Sequence, residues 1–295
     1  MLAQFLFNLI LSTPIEKKHK LKFFKFLRNL YLQIDDPIVV YTCRDKFNLD
    51  ILLSHDLPFN IQENPMYSQN LGVIAGILFK KYPDLCVIDV GANIGDSVAI
   101  IKFRTDIPVL CIEGNPKFLG LLEQNTQQFN AVSIEKSFAG EEELRVKAIN
   151  NLGTAYIEKS EEGIPVKTIS EILENHAQFK NARLLKIDTD GFDNKVIRGS
   201  KEFLMKTKAS VFFEYDPYFL AKQNESGLDI FDFFVELDYS KFIIFDNLGE
   251  HLITLNSKQK EQFSELHNYF NKRGFRYMDI WALHNEDEEI IYTTV

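Results

Sequence analysis

The feature that most constrains this 295-residue chain is an apolar run beginning at Leu85 that ends in Asp89-Val90-Gly91-Ala92-Asn93-Ile94-Gly95-Asp96 and passes into a helix-like segment. An apolar strand, a glycine turn and a helix in direct succession open a parallel sheet, because the glycines let the backbone turn tightly and approach a ligand closely. The alternation extends along the chain. Helices are expected over Tyr67–Lys81, from about Gly95, over Thr168–Asn175 and from Phe192, with strands over Leu85–Val90, Pro108–Glu113, Ala131–Ile134, Leu184–Asp188 and Val211–Tyr215. Such a pattern predicts an α/β protein with a mostly parallel, Rossmann-like sheet and helices on both faces. Beyond Tyr215 it stops. Pro217–Ser240 reads as an aromatic-rich helical insertion, and strands at Phe242–Phe245 and Met278–Leu283 flank one helix over Lys258–Gly274, which suits an antiparallel edge strand.

The apolar share of 45% and charged share of 25% are those of an ordinary globular protein. A net charge of -9 argues against nucleic acid as a main partner, since phosphate binding depends on clustered Lys and Arg. Cys43, Cys86 and Cys111 are odd in number and scattered, so neither a disulfide framework nor a zinc site is expected, and a reducing, cytoplasmic setting is. Leu2–Leu11 is apolar but too short to span a membrane. Residues 17–30 carry Lys17, Lys18, Lys20, Lys22, Lys25 and Arg28 between Phe23, Phe26, Leu27 and Leu30 at helical spacing. This amphipathic segment is suited either to packing on the rest of the protein or a partner, or to the inner face of an anionic membrane. Residues 1–66 are taken as an N-terminal helical extension, serving either as a lid over the substrate or only as a packing arm, with the main domain over 67–295.

In an open parallel sheet the ligand sits at the carboxyl ends of the strands. A dinucleotide fingerprint would place glycines where this turn has Asn93 and Asp96, and a carboxylate at a helix N-terminus competes with phosphate for the same amides. S-adenosylmethionine has no phosphate and carries an ammonium and a sulfonium, so Asp89 and Asp96 suit it, with Gly91, Asn93, Gly95 and Ser97 completing the turn. The next strand ends in Glu113-Gly114-Asn115, which places a carboxylate where a ribose diol would lie. Ser137 and Phe138 follow the third strand and would meet the adenine.

A second turn, Lys186-Ile187-Asp188-Thr189-Asp190-Gly191-Phe192-Asp193, brings two further acids to the same cleft. Methylation of oxygen requires the acceptor hydroxyl to be aligned and to lose its proton. Asp190 is the first candidate for that base, Glu214 the second and His55 the third; Asp188 is assigned to the cofactor. Helix capping by Asp190 is the competing reading, and two close carboxylates could alternatively hold magnesium, although no metal is assigned.

Together the two turns resemble those of the FkbM family of methyltransferases, through Val87-Ile88-Asp89-Val90-Gly91-Ala92-Asn93-Ile94-Gly95-Asp96-Ser97 and Leu185-Lys186-Ile187-Asp188-Thr189-Asp190-Gly191-Phe192. Val166–Leu173, Val196–Gly199, His55–Pro58 and Pro65–Tyr67 are similar too, so the likeness covers roughly Asp50 to Ala282. It implies a seven-stranded class I methyltransferase fold and transfer to oxygen, often on sugars, with members in surface polysaccharide and glycolipid pathways. Two departures stand out: Asp190 replaces the family's usual glutamate and shortens its reach by one methylene, and Thr168-Ile169-Ser170 replaces Thr-Leu-Asp. Tyr67, Tyr215, Tyr218 and Phe219 would suit stacking on a sugar. The rival readings are a nicotinamide-dependent oxidoreductase and a methyltransferase-like scaffold that docks a partner or membrane.

Overall fold

The computed structural model describes residues 1–142, 144–151, 154–159, 163–272 and 277–293. Helices α1 (Leu2–Leu11) and α2 (Lys18–Leu32) are followed by a hairpin, β1 (Ile38–Cys43) and β2 (Phe47–Leu52), then α3 (Leu57–Glu63) and α4 (Gln69–Lys81). The alternating part runs β3 (Val87–Val90), α5 (Asp96–Arg104), β4 (Val109–Ile112), α6 (Pro116–Thr126) and β5 (Val132–Glu135). A small sheet interrupts it, built from β6 (Phe138–Ala139), β7 (Leu144–Asn151), β8 (Thr154–Lys159) and β9 (Ile164–Lys167). The alternation resumes with α7 (Ile169–Asn175), β10 (Leu184–Ile187), α8 (Asp193–Gly199), α9 (Lys201–Thr207) and β11 (Ser210–Tyr215). The chain closes with α10 (Pro217–Lys222), α11 (Asp229–Glu236), β12 (Tyr239–Asp246), β13 (His251–Asn256), α12 (Lys260–Phe270) and β14 (Met278–His284).

The main sheet is ordered β13-β12-β14-β11-β10-β3-β4-β5. From β5 to β11 every pairing is parallel, and β14 enters antiparallel between β11 and β12. The chain is therefore a class I methyltransferase-type α/β fold, with two corrections to the expected sheet. The antiparallel strand is interior, because β14 is buried along nearly its whole length and cannot serve as an edge. An eighth strand, β13, forms that edge instead; its residues are mostly exposed, so it lacked the apolar run by which the other strands were read.

Side chains alternate between two cores. Ile88 and Val90 of β3 join the core under α7, α8 and α11, whereas Val87 joins that under α4 and α5. Asp89 projects on the same side as Val87, toward the helix that follows the glycine turn. The N-terminal extension is not helical throughout: its hairpin packs Val39, Tyr41, Leu49 and Ile51 with Phe7 and Ile10, and this third core reaches Ile94, Ala99 and Leu121. Alternate exposed residues such as Ile38 and Val40 hid the strand pattern of β1.

Asn125 ties this extension to the glycine turn. It lies buried in α6, accepts from Asp50 N at 2.7 Å, and donates to Asp50 O and Ile94 O, each at 2.9 Å. Removing it leaves buried backbone groups without partners, at about 1–3 kcal/mol for each unsatisfied group. Asn125→Leu is thus expected to lower the urea midpoint of unfolding and to weaken ligand binding at the turn, as read by denaturation and titration calorimetry on the same preparation.

Candidate active site

The two carboxylate turns meet because β3 and β10 are adjacent and parallel, with Lys186 paired to Asp89 in register. The ammonium of Lys186 is buried, 3.0 Å from Asp89 Oδ1, 3.1 Å from the Gly91 carbonyl and 3.5 Å from Asp188 Oδ2. Burial alone would favour the neutral amine, but Asp89, Asp188 and Asp96 override it and raise its pKa. The other oxygen of Asp89 accepts from Ser97 Oγ. Asp89 and Ser97 therefore brace the turn from beneath. Gly91, at φ +73°, sits so close to the second turn that a Cβ would lie 1.9 Å from the Asp188 carbonyl. Gly95 takes φ +86° as the N-cap of α5.

Above this base lies a cavity of about 390 Å³, within the range of small-molecule sites. Gly91, Asn93, Glu113, Gly114, Asn115, Ser137, Phe138, Asp188 and Asp190 line it. Glu113 is held by backbone amides of both neighbouring turns, accepting from Asn93 N at 2.9 Å and Asn115 N at 2.6 Å. Burial nevertheless raises its pKa. The ring of Phe138 covers Gly114, where a Cβ would lie 2.5 Å from it, so glycine makes room for an aromatic wall. Phe118 and Phe192 extend that wall.

At the second turn the acids divide their work. Asp193 accepts from Thr189 N and Gly191 N, both at 3.0 Å, and so shapes the loop. Asp190, left with φ +51°, does not cap the helix and lines the cavity. Its pKa is pushed up to about 7, first by burial and then by Asp188, Asp216 and Glu113, against the pull of Lys186.

The remaining sequence candidates lie outside the cavity lining. Asp96 and His55 face one another electrostatically at the start of α5: burial raises the acid and lowers the histidine, while each opposes that shift in the other. His55 Nδ1 also accepts from Leu57 N at 3.3 Å. Glu214 lies opposite Asp279 across β11 and β14, its pKa held well above the usual range by burial and by Asp188, Asp193 and Asp279. Tyr67 contacts Tyr277 through their hydroxyls at 3.3 Å. Tyr215, expected to meet the acceptor, is instead wholly buried, with its hydroxyl 2.8 Å from His267 Nδ1 and its ring against Phe231. The alternation of β11 directs it into the core under α11 and α12. Sequence reading gave no role to Lys186, Thr189 or Phe118. A lysine inside the apolar run Leu184–Ile187 was the signal for the first, since a buried lysine demands partners.

The sequence profile of the methyltransferase FkbM domain matches residues 89–277, which include both turns. The chain belongs to the FkbM methyltransferase family. A search of curated protein sequences returns no match. Among solved structures, the chain is similar to methyltransferase FkbM from Methylobacillus flagellatus KT, with 19% identity, a TM-score of 0.38, and coverage of 54% of this chain and 39% of that one. It is also similar to the N-methyltransferase NodS from Bradyrhizobium japonicum WM9, in complex with S-adenosyl-l-homocysteine (8% identity, TM-score 0.41, coverage of 78% and 93%). A third likeness is to precorrin-6y C5,15-methyltransferase from Geobacter metallireducens GS-15 (10% identity, TM-score 0.38, coverage of 68% and 81%). This FkbM-family chain thus spans well under half the length of its solved FkbM relative.

The buried ion pair makes a direct prediction for the FkbM fold. Lys186→Met strands Asp89 without its cation and should cost about 3–5 kcal/mol of stability in denaturant unfolding. Adding Asp89→Asn to the same chain should restore most of that loss.

Proposed function

We propose that the protein transfers the methyl group of S-adenosylmethionine to a hydroxyl oxygen of a glycan, glycolipid or related natural product. The observation that carries this reading is the cavity itself, which joins a diol-accepting carboxylate, Glu113, to a proton-accepting one, Asp190. Two further features fit an adenosine ligand. Asn93 Oδ1 and Thr189 Oγ1 are buried without hydrogen-bond partners among the described residues, and both residues line the cavity. Phe118 and Phe138 offer flat apolar faces beside Gly114.

In this reading Glu113 holds the ribose hydroxyls, Phe118, Ser137 and Phe138 flank the adenine, and Asn93 and Asp188 hold the amino-acid and sulfonium end. The cofactor supplies an electrophilic methyl carbon on positively charged sulfur. Asp190 receives the acceptor's proton. Its carboxyl, poised at about 7, is divided between acid and carboxylate at neutral pH, so it can take a hydroxyl proton and later release it to water. Asp193 fixes the loop that aims it. The nicotinamide alternative has no comparable support, because the second glycine position of its fingerprint is Asn93 and the third is Asp96.

Titration calorimetry with S-adenosylmethionine and S-adenosylhomocysteine, with NAD as control, tests the cofactor. Binding of the first two and not of NAD is expected; binding of NAD alone would overturn the reading. Asp190→Asn should keep cofactor binding while lowering kcat by about 10²–10⁴-fold on a glycan acceptor. Since the carboxylate is the active form, wild-type kcat/KM should fall as pH drops through about 7, and this limb should vanish in the variant.

A further inference from the structure

The strongest unexplained feature outside the cavity is the outer face of α2. Phe23, Phe26 and Leu30 recur at helical spacing, Ile34 continues the line just past the helix end, and all four are exposed, from 43% at Leu30 to 87% at Ile34. At 100° per residue, Lys18 and Lys22 flank this stripe on one side and Lys20 on the other. These three lysines and Lys17 are all exposed. The inner face is separately committed. Leu21 is buried there, and Arg28 donates to Leu53 O at 2.8 Å and pairs with Asp56 at 2.8 Å. Lys25 is paired with Glu63 at 2.7 Å, which fixes the helix on α3. The helix is thus anchored on one side and presents an apolar stripe between rows of positive charge on the other.

We propose that α2 is a docking surface for an anionic lipid bilayer, with Phe23, Phe26 and Leu30 entering the headgroup boundary and Lys17, Lys18, Lys20 and Lys22 meeting lipid phosphates. Charge complementarity selects this occupant. Residues 17–30 hold six basic residues and no acid in a chain whose net charge is -9, so the segment concentrates positive charge against the trend of the molecule. A second copy of the chain is disfavoured, since a two-fold interface would set these lysines against themselves. Exposed phenylalanines need an apolar phase, which a bilayer supplies and a purely ionic partner does not. Among the described residues no helix is long and apolar enough to cross a membrane. The anchor also sets which way the stripe faces. Arg28 binds Leu53 O and Asp56 on the inner side of the helix, so the outer stripe is held facing away from the N-terminal core.

The test is sedimentation of the full chain with vesicles of phosphatidylglycerol and phosphatidylcholine in equal parts, against phosphatidylcholine alone. Binding to the anionic vesicles only is expected. Phe23→Ser with Phe26→Ser should abolish it, and Lys18→Glu with Lys22→Glu should weaken it by more than about tenfold, since each basic residue near such a surface contributes about fivefold. Both variants should keep the wild-type thermal midpoint and cofactor affinity, so their loss of lipid binding is separable from any failure of the methyl-transfer reading. No binding to anionic vesicles, or binding that neither variant reduces, would overturn the proposal. So would a dimer in solution that the phenylalanine variant dissociates, because the stripe would then belong to a second copy.

Discussion

The buried ammonium of Lys186 is the interaction on which the site depends. It stands between two loops that are far apart in the chain. It pairs with Asp89, reaches Asp188 and donates to the Gly91 carbonyl. With Gly91 pressed against the Asp188 carbonyl, the two turns have almost no freedom to move apart. An ion pair of this kind contributes little net stability compared with an apolar substitute, but losing one partner is expensive, so it fixes geometry rather than adding free energy.

The same cation sets the electrostatics of the cleft. Lys186 draws down the pKa values of Asp96, Glu113, Asp190 and Asp279, each of which burial pushes up. Burial wins at all four, and Asp190 and Asp279 come to about 7. A carboxyl raised above its unfolded value favours folding most at low pH, and that contribution is lost as pH rises through the folded value. Near neutrality one enclosed lysine thus faces several carboxyls on which burial holds protons. A cationic ligand would favour the ionised forms of these acids, whereas a pyrophosphate would oppose them.

Much of this was legible in the sequence because the chemistry lies at strand ends, and strand ends are marked by apolar runs that stop. The strands from Val87 to Tyr215 in the main sheet lie within two residues of their expected positions. Glu113, Gly114, Asn115, Ser137, Phe138 and Asp190 were found by that rule, and they line one cavity. The rule fails where pairing or packing comes from distant segments. The small sheet of β6 to β9 pairs segments with no sustained apolar run, and in β1 the exposed Ile38 and Val40 are as apolar as the buried Val39 and Tyr41, so the sequence shows no alternation. Tyr215 follows Glu214 at a strand end, but adjacent residues on a strand face opposite sides, and the side that Tyr215 takes was decided by α11 and α12.

The N-terminal extension shows why a helical period alone could not settle what its basic segment does. α2 has apolar residues on two faces. Leu21, with Phe24 and Tyr31 partly buried beside the N-terminal core, satisfies the inner one, and the period of Phe23, Phe26 and Leu30 is equally regular on the outer one. Charge separates the two faces only once partners are known: Arg28 points inward and is neutralised by Asp56, while Lys18, Lys20 and Lys22 remain outside with the exposed phenylalanines. A helix that merely packed on its own domain would have no need of the outer stripe, and a merely solvated helix would not keep three large apolar residues in line. The combination calls for a surface that is both apolar and negatively charged, and it lies on the element that Arg28 fastens to Leu53 and Asp56.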